Sequence, residues 1–182
     1  MTCFEVDAAL KSMKILIDTR EQDTPALRRR IKAMECETER IKLDVGDYSC
    51  KCILPGGIEY SLEKEVVIER KMNADELCQC FTKGRARFQR EFERASANGT
   101  KVYLLIEETD WEMIFDGEYR SRLNPDALTA SICAWAARYN INVIFCNART
   151  SGLLIKRLLR YELKERLERG DADGFTAACG TA

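Results

Sequence analysis

The sequence predicts an α/β domain, and three observations carry that prediction. Short apolar runs with strand character alternate with helix-period segments. A stretch from residue 38 to residue 71 switches to period-two alternation. Apolar residues make up 46% and charged residues 32% of 182 positions, a balance that excludes disordered, collagen-like and membrane-spanning chains. At this length one core is expected, burying about 70% of the unfolded surface. No apolar run approaches the ~18 residues that cross a bilayer.

The elements follow in order. Residues 14–18 (Lys-Ile-Leu-Ile-Asp) read as a short buried strand, and Pro25 opens a helix through residue 34. Between residues 38 and 71, Gly46-Asp47 and Pro55-Gly56-Gly57 separate three expected strands, near 39–43, 48–54 and 60–71, the last interrupted near Lys64 and all forming a hairpin or meander. Asn73 followed by Glu76 is a capping-box pattern, so a helix starts there and runs to about residue 97 with a break around residues 82–84. The second half predicts a strand over 102–107, a short helix over 111–115, a helix over 125–139 capped by Asn124, a strand over 142–146 and a long helix over 150–167. Residues 1–12 read as an N-terminal extension and residues 170–182 as a mobile tail.

Several chemistries are excluded by counting. The chain has no histidine, which removes imidazole catalysis and His-ligated zinc. Nine cysteines, an odd number, occur without a Cys-x-x-Cys pair, and residues 1–12 carry acids where a secretory signal needs an apolar core, so a cytoplasmic protein is expected. Cys50-x-Cys52 and Cys78-x-Cys80 make a poor zinc site, because on a helix two residues turn the second pair about 200° apart. Net charge is −1, so binding of nucleic acid would need local clustering of the 29 basic residues.

Val66 to Ile68 followed by Glu69-Arg70-Lys71 is an apolar strand ending in charge. Side chains two apart share a strand face, so Glu69 and Lys71 point together and Arg70 points away. A carboxylate for a hard cation beside an ammonium for a water suits metal-assisted phosphodiester hydrolysis; solvated charges at a strand end are the alternative. Asp47 at its turn and Asp18 at the end of the first strand can join Glu69. Three carboxylates within ~4 Å repel by about 4 kcal/mol per pair at an effective dielectric near 20, so the cluster calls for a divalent cation or for Arg20 and Lys71 as counter-charges in a structural salt-bridge network. With oxygen ligands only, the cation would be magnesium or manganese.

Gly46-Asp47, a spacer, Glu69-Arg70-Lys71, three residues and Asp75, together with Asp18-Thr-Arg20-Glu21, Gly84-Arg85 and Gln89, resemble the signature of the XPF-type nuclease domain, the excision-repair branch of the PD-(D/E)xK nucleases. The resemblance covers about residues 13–168. It implies a restriction-endonuclease-like fold, a central mixed sheet flanked by helices, and Mg2+- or Mn2+-dependent DNA cleavage, with preference for branched, flap or fork substrates in repair, recombination or phage replication. Asp47 and Glu69 correspond to metal ligands, Asp18 to a further acid of the metal site, Lys71 to the group that positions or activates water, and Arg70 to a catalytic-signature residue, expected to pair with an acid such as Asp75. Arg20, Glu21 and Asp75 are supporting residues, Asp75 also suiting the first turn of a capped helix. Arg85 and Gln89 are placed to reach the site. If the helix is continuous, Lys83, Arg87, Arg90 and Arg94 share one basic face for DNA, separate from a core stripe of Phe81, Phe88, Phe92 and Ala95, the alternative being an ordinary solvated face laced with Glu91 and Glu93. Arg28 to Arg30 and Lys156, Arg157 and Arg160 read as solvated patches. No helix-hairpin-helix or helicase module accompanies the segment, so a stand-alone bacterial or phage-like form is expected, with a homodimer as a candidate assembly. The rival readings are a non-catalytic DNA- or partner-binding nuclease fold, and a nuclease of the same broad fold acting on other DNA or RNA.

Overall fold

The computed structural model describes residues 1–172. Its centre is a seven-stranded mixed sheet of β1 (Lys14–Asp18), β2 (Thr38–Ile41), β3 (Tyr48–Leu54), β4 (Ile58–Ser61), β5 (Val66–Lys71), β6 (Lys101–Glu107) and β7 (Asn142–Cys146). The strand order is β2-β1-β3-β5-β6-β7, with β4 paired to β3. β1 and β2, β5 and β6, and β6 and β7 run parallel, whereas β3 runs antiparallel to β1, β4 and β5.

This arrangement corrects one expectation and meets another. β2 leaves the meander and pairs with β1 instead, because the helix between them makes a parallel crossover. The interruption expected near Lys64 is there: Glu65 and Val66 donate their backbone N–H to the Leu62 carbonyl in a turn that separates β4 from β5.

One face of the sheet is covered by α1 (Cys3–Lys11), α2 (Pro25–Met34) and α7 (Ser151–Arg169). The other is covered by α3 (Ala74–Phe81), α4 (Arg85–Ala97) and α6 (Pro125–Tyr139), with the short α5 (Trp111–Phe115) against α6. β5 is buried on both faces, so Val66 and Ile68 pack toward α1 and α7 while Val67 packs toward α3 and α4. Trp135 of α6 meets Phe81, Phe88 and Phe92 at ring-centroid distances of 5.0, 5.3 and 5.7 Å, which fixes α3 and α4 over the sheet. Cys50 and Cys52 lie in one core layer and Cys78 in the other, on opposite sides of the sheet.

The segment before β1 is a helix packed on the core. Thr2 and Glu5 form a capping box, and Val6, Ala9 and Leu10 are buried at helical spacing. At the other end the expected tail begins in order: Gly170 takes the left-handed conformation that ends α7, and Ala172 is buried. The rest of that tail, 173–182, lies outside the described residues. No helix among the described residues is long and apolar enough to cross a membrane.

Candidate active site

The strand alternation of β5 divides its three terminal charges between the two faces of the sheet. Glu69 and Lys71 project toward α3 and α4 and bond each other directly through Oε1 and Nζ. They are only 5% and 7% exposed. The Lys71 ammonium also lies 5.0 Å from the centroid of the Phe88 ring, a cation–π contact supplied by α4.

Asp47 is delivered to the same place by Gly46. Gly46 has φ +76°, and a Cβ there would lie 2.8 Å from Cβ of Val67, so only glycine lets the turn pass this close over β5. Asp47 is then fastened to β5 from both sides: its N–H donates to Ile68 O at 2.9 Å, and its Oδ2 accepts the Arg70 N–H at 2.8 Å. The Gly46 N–H donates to Glu91 Oε1 of α4 at 3.2 Å, which brings a further acid to the rim.

Burial and mutual repulsion set the charge states. Burial pushes the Asp47 carboxyl well above the usual carboxylate range, and the charge on Glu69 pushes it further. Burial raises Glu69 as well, with Lys71 pulling against it. At Lys71, burial opposes the charge, but Glu69, Cys80 and Asp47 outweigh it and hold the ammonium protonated above the ordinary lysine range. Half-buried Asp47 and buried Glu69, both resisting ionisation and offering oxygen donors only, fit a hard divalent cation, which would relieve both penalties. Asp47 and Glu69 are the residues that could hold it. Among the described residues no three acid or cysteine side chains gather into a metal cage, so water or substrate oxygens would complete the shell.

Asp18 lies beside Asp47, its backbone N–H donating to the Asp47 carbonyl at 2.9 Å. Its carboxylate is fully engaged: Arg20 Nε and N–H donate to Oδ1 at 2.7 and 2.6 Å, and Arg20 Nη2 and the Leu43 N–H donate to Oδ2 at 2.9 and 2.8 Å. Burial works against its charge, yet these donors hold the carboxyl below the usual range. Asp18 and Arg20 therefore form a structural ion pair, which ties the end of β1 to the loop before β3.

Arg70 also departs from expectation, because it pairs with Glu107 and not with Asp75. On the opposite face of the sheet Glu107 accepts from Arg70 Nη1 at 3.0 Å and from Arg30 Nε and Nη2 at 3.1 and 3.2 Å. Arg30 Nη1 reaches the Tyr48 hydroxyl at 3.1 Å, and that hydroxyl donates to Glu21 Oε2 at 3.1 Å. Glu21, Arg30, Arg70 and Glu107 thus close a charge-balanced network beneath the cleft, with Arg30 buried where a solvated patch was expected. Asp75 instead bonds Arg120 and Ser121.

The α4 surface is basic and unpaired in part. Arg87, Arg90 and Arg94 are exposed along one face with no ion pair among the described residues. Lys83 falls in the break between α3 and α4, outside that helix face. Arg85 lies over the Trp135 ring at 5.6 Å, and Gln89 bonds Glu93 on its own helix at 2.8 Å, so neither reaches the acids.

The ERCC4 domain family matches residues 17–158. The chain belongs to the ERCC4 domain family. Among solved structures, XPF from Aeropyrum pernix aligns with this ERCC4 domain at a TM-score of 0.59 and 19% identity, covering 82% of this chain and 61% of that one. XPF from the same organism in complex with DNA aligns at 0.59 and 20%, covering 85% of this chain and 66% of that one. The ERCC4 domain thus spans less than two thirds of either relative's length and shares their restriction-endonuclease-like fold. No curated protein matches it.

Sequence reasoning about this ERCC4 domain missed Glu107, Arg30, Tyr48 and Glu91. One signal was available for Glu107: it has the same strand parity as Tyr103 and Leu105, which face the α7 layer. An acid at that parity needs a buried cation. Nothing local marked Arg30 as that cation, since its partner lies 77 positions away.

Proposed function

We propose that this ERCC4 domain is a divalent-metal-dependent endonuclease that hydrolyses phosphodiester bonds in DNA, with branched, flap or fork DNA as substrate. The observation that carries the reading is the placement of the Glu69–Lys71 pair beside Asp47 at the foot of a cleft with unpaired arginines of α4 nearby. The solved relative with DNA supports DNA as the partner.

Magnesium or manganese, held by Asp47 and Glu69, would polarise the phosphate and lower the pKa of a bound water. The chain's own groups act around it. Lys71, held as an ammonium, donates to the attacking water or to the phosphoryl oxygens as charge develops, and is not the base. Arg70 takes no part at the phosphate; its side chain anchors β5 from below. Arg87, Arg90 and Arg94 bind flanking phosphates. Residues 13–168 form the nuclease unit, with α1 packed onto it.

A non-catalytic DNA-binding module is the second reading, favoured by one observation: the Asp18 carboxylate is taken up by Arg20, leaving Asp47 and Glu69 with Glu91 at the rim. Single-turnover cleavage of fork, flap, duplex and single-stranded DNA and of RNA in magnesium separates the two. Lys71→Ala should cut about 10² to 10³ more slowly, the usual effect of removing one preorganised electrostatic group, while binding DNA nearly as well. A variant within about threefold of the wild type removes the assignment, and a wild type that cleaves nothing establishes the second reading.

A further inference from the structure

A cleft of about 940 Å³ extends from Lys71 away from Asp47, between α3, the start of α4 and the loop joining α5 to α6. One wall carries Lys83 and Arg87, neither of which has an ion pair among the described residues. The other wall is the loop of residues 116–124, which presents Arg120. Asp75 of α3 makes three bonds to that loop, where Cys78 of the same helix also meets Ser121: Asp75 Oδ1 accepts the N–H of Arg120 and of Ser121, both at 2.8 Å, and Asp75 Oδ2 accepts Arg120 Nε at 3.0 Å. The bond to Nε uses the inner edge of the guanidinium. Its two outer nitrogens have no partner among the described residues, and the side chain is 88% exposed.

From this geometry we propose that Asp75 is a positioning residue that fixes loop 116–124 so that Arg120, facing Lys83 and Arg87 across the cleft, binds the backbone phosphates of a single DNA strand leading away from Lys71. The proposal rests on the endonuclease reading for the placement of the strand, and it deepens that reading by naming which DNA element the cleft takes. The size of the cleft argues for one strand: it is that of a large ligand pocket, enough for a few nucleotides, whereas a duplex is too wide to enter it. The charges argue for phosphate, because three cations with free donors line two facing walls. Asp75 spends its own charge inside the protein. Although burial opposes ionisation, Arg120 and the two backbone donors hold its carboxyl below the usual range. It is therefore a poor candidate for a metal ligand.

The test is equilibrium binding of fluorescent forked DNA, with a single-stranded arm, and of the matching blunt duplex, in calcium and across a range of salt. Loss of one single-strand phosphate contact should lower the salt slope by about 0.7 and weaken binding about fivefold at 0.1 M salt. Arg120→Ala should show this on the fork and less on the blunt duplex, and Arg120→Lys should restore the slope. Asp75→Ala should reproduce the defect of Arg120→Ala, and the double variant should be no worse than either single one. A role of Asp75 in stability alone would instead add to the Arg120 effect. An unchanged slope for Arg120→Ala, equal losses on fork and duplex, additive losses in the double variant, or a wild type that binds neither DNA each overturn the proposal. Because binding is read without cleavage, a wild type that binds the fork through Arg120 but never cuts it removes the endonuclease reading and leaves this one standing.

Discussion

Replacing Glu107 by Gln tests whether the network under β5 holds the candidate site in place. Glu107 is 2% exposed and is the shared acceptor of two guanidiniums, Arg30 and Arg70. Each contact near 3.0 Å amounts to about 5.5 kcal/mol at an effective dielectric near 20, and most of it offsets the desolvation of the charges. Removing the anion leaves Arg30 and Arg70 with Glu21 alone, at 3.8 and 4.0 Å. Loss of one partner from a buried pair typically costs about 3 to 5 kcal/mol. For a domain of this size each kcal/mol moves the Tm by about 2 to 4 °C, so a fall of roughly 6 to 20 °C is expected. Urea unfolding in a chelator, with the midpoint lowered at unchanged m, is the assay. A loss below about 1 kcal/mol, the value of an exposed pair, would refute the reasoning and place the two arginines in water.

Other outcomes are expected from the same geometry. Magnesium or manganese should raise the Tm by mass action, and Asp47→Asn should abolish that rise while leaving the metal-free protein as stable or more stable, read by thermal unfolding with and without metal. A large loss of metal-free stability would instead mark Asp47 as structural. Replacing Arg87, Arg90 and Arg94 together by Ala should flatten the salt slope of DNA binding by up to about 3 units, and an unchanged slope would put the DNA elsewhere. The folded Asp18 carboxyl titrates below its ordinary 3.8, so the unfolded chain takes up its proton first as pH falls. Its stabilisation is therefore present above about pH 4 and is lost as pH drops through the folded value. Asp18→Asn should make the acid limb of the urea midpoint shallower below about pH 4, and an identical limb would contradict the ion pair.

Local pattern alone determined much of this molecule. Period-two runs and helix stripes located most elements, because propensity, caps and turn glycines act over a few residues: Asn73 does accept the Glu76 N–H, and Phe81, Phe88 and Phe92 do face the core. The same parity argument put Glu69 with Lys71 and turned Arg70 away from both, since alternation along a strand needs no tertiary partner. Pairing across the chain was beyond its reach. That β2 joins β1, that Arg70 meets Glu107, that Arg30 is buried, and that Asp75 holds a loop 45 positions away all depend on which distant acid or strand the packed sheet brings alongside. Asp18 shows the physical reason most directly. A carboxylate at a strand end suits a metal site or an ion pair equally well, and only the folded position of the Arg20 guanidinium and the Leu43 N–H reveals the bonds that Asp18 makes.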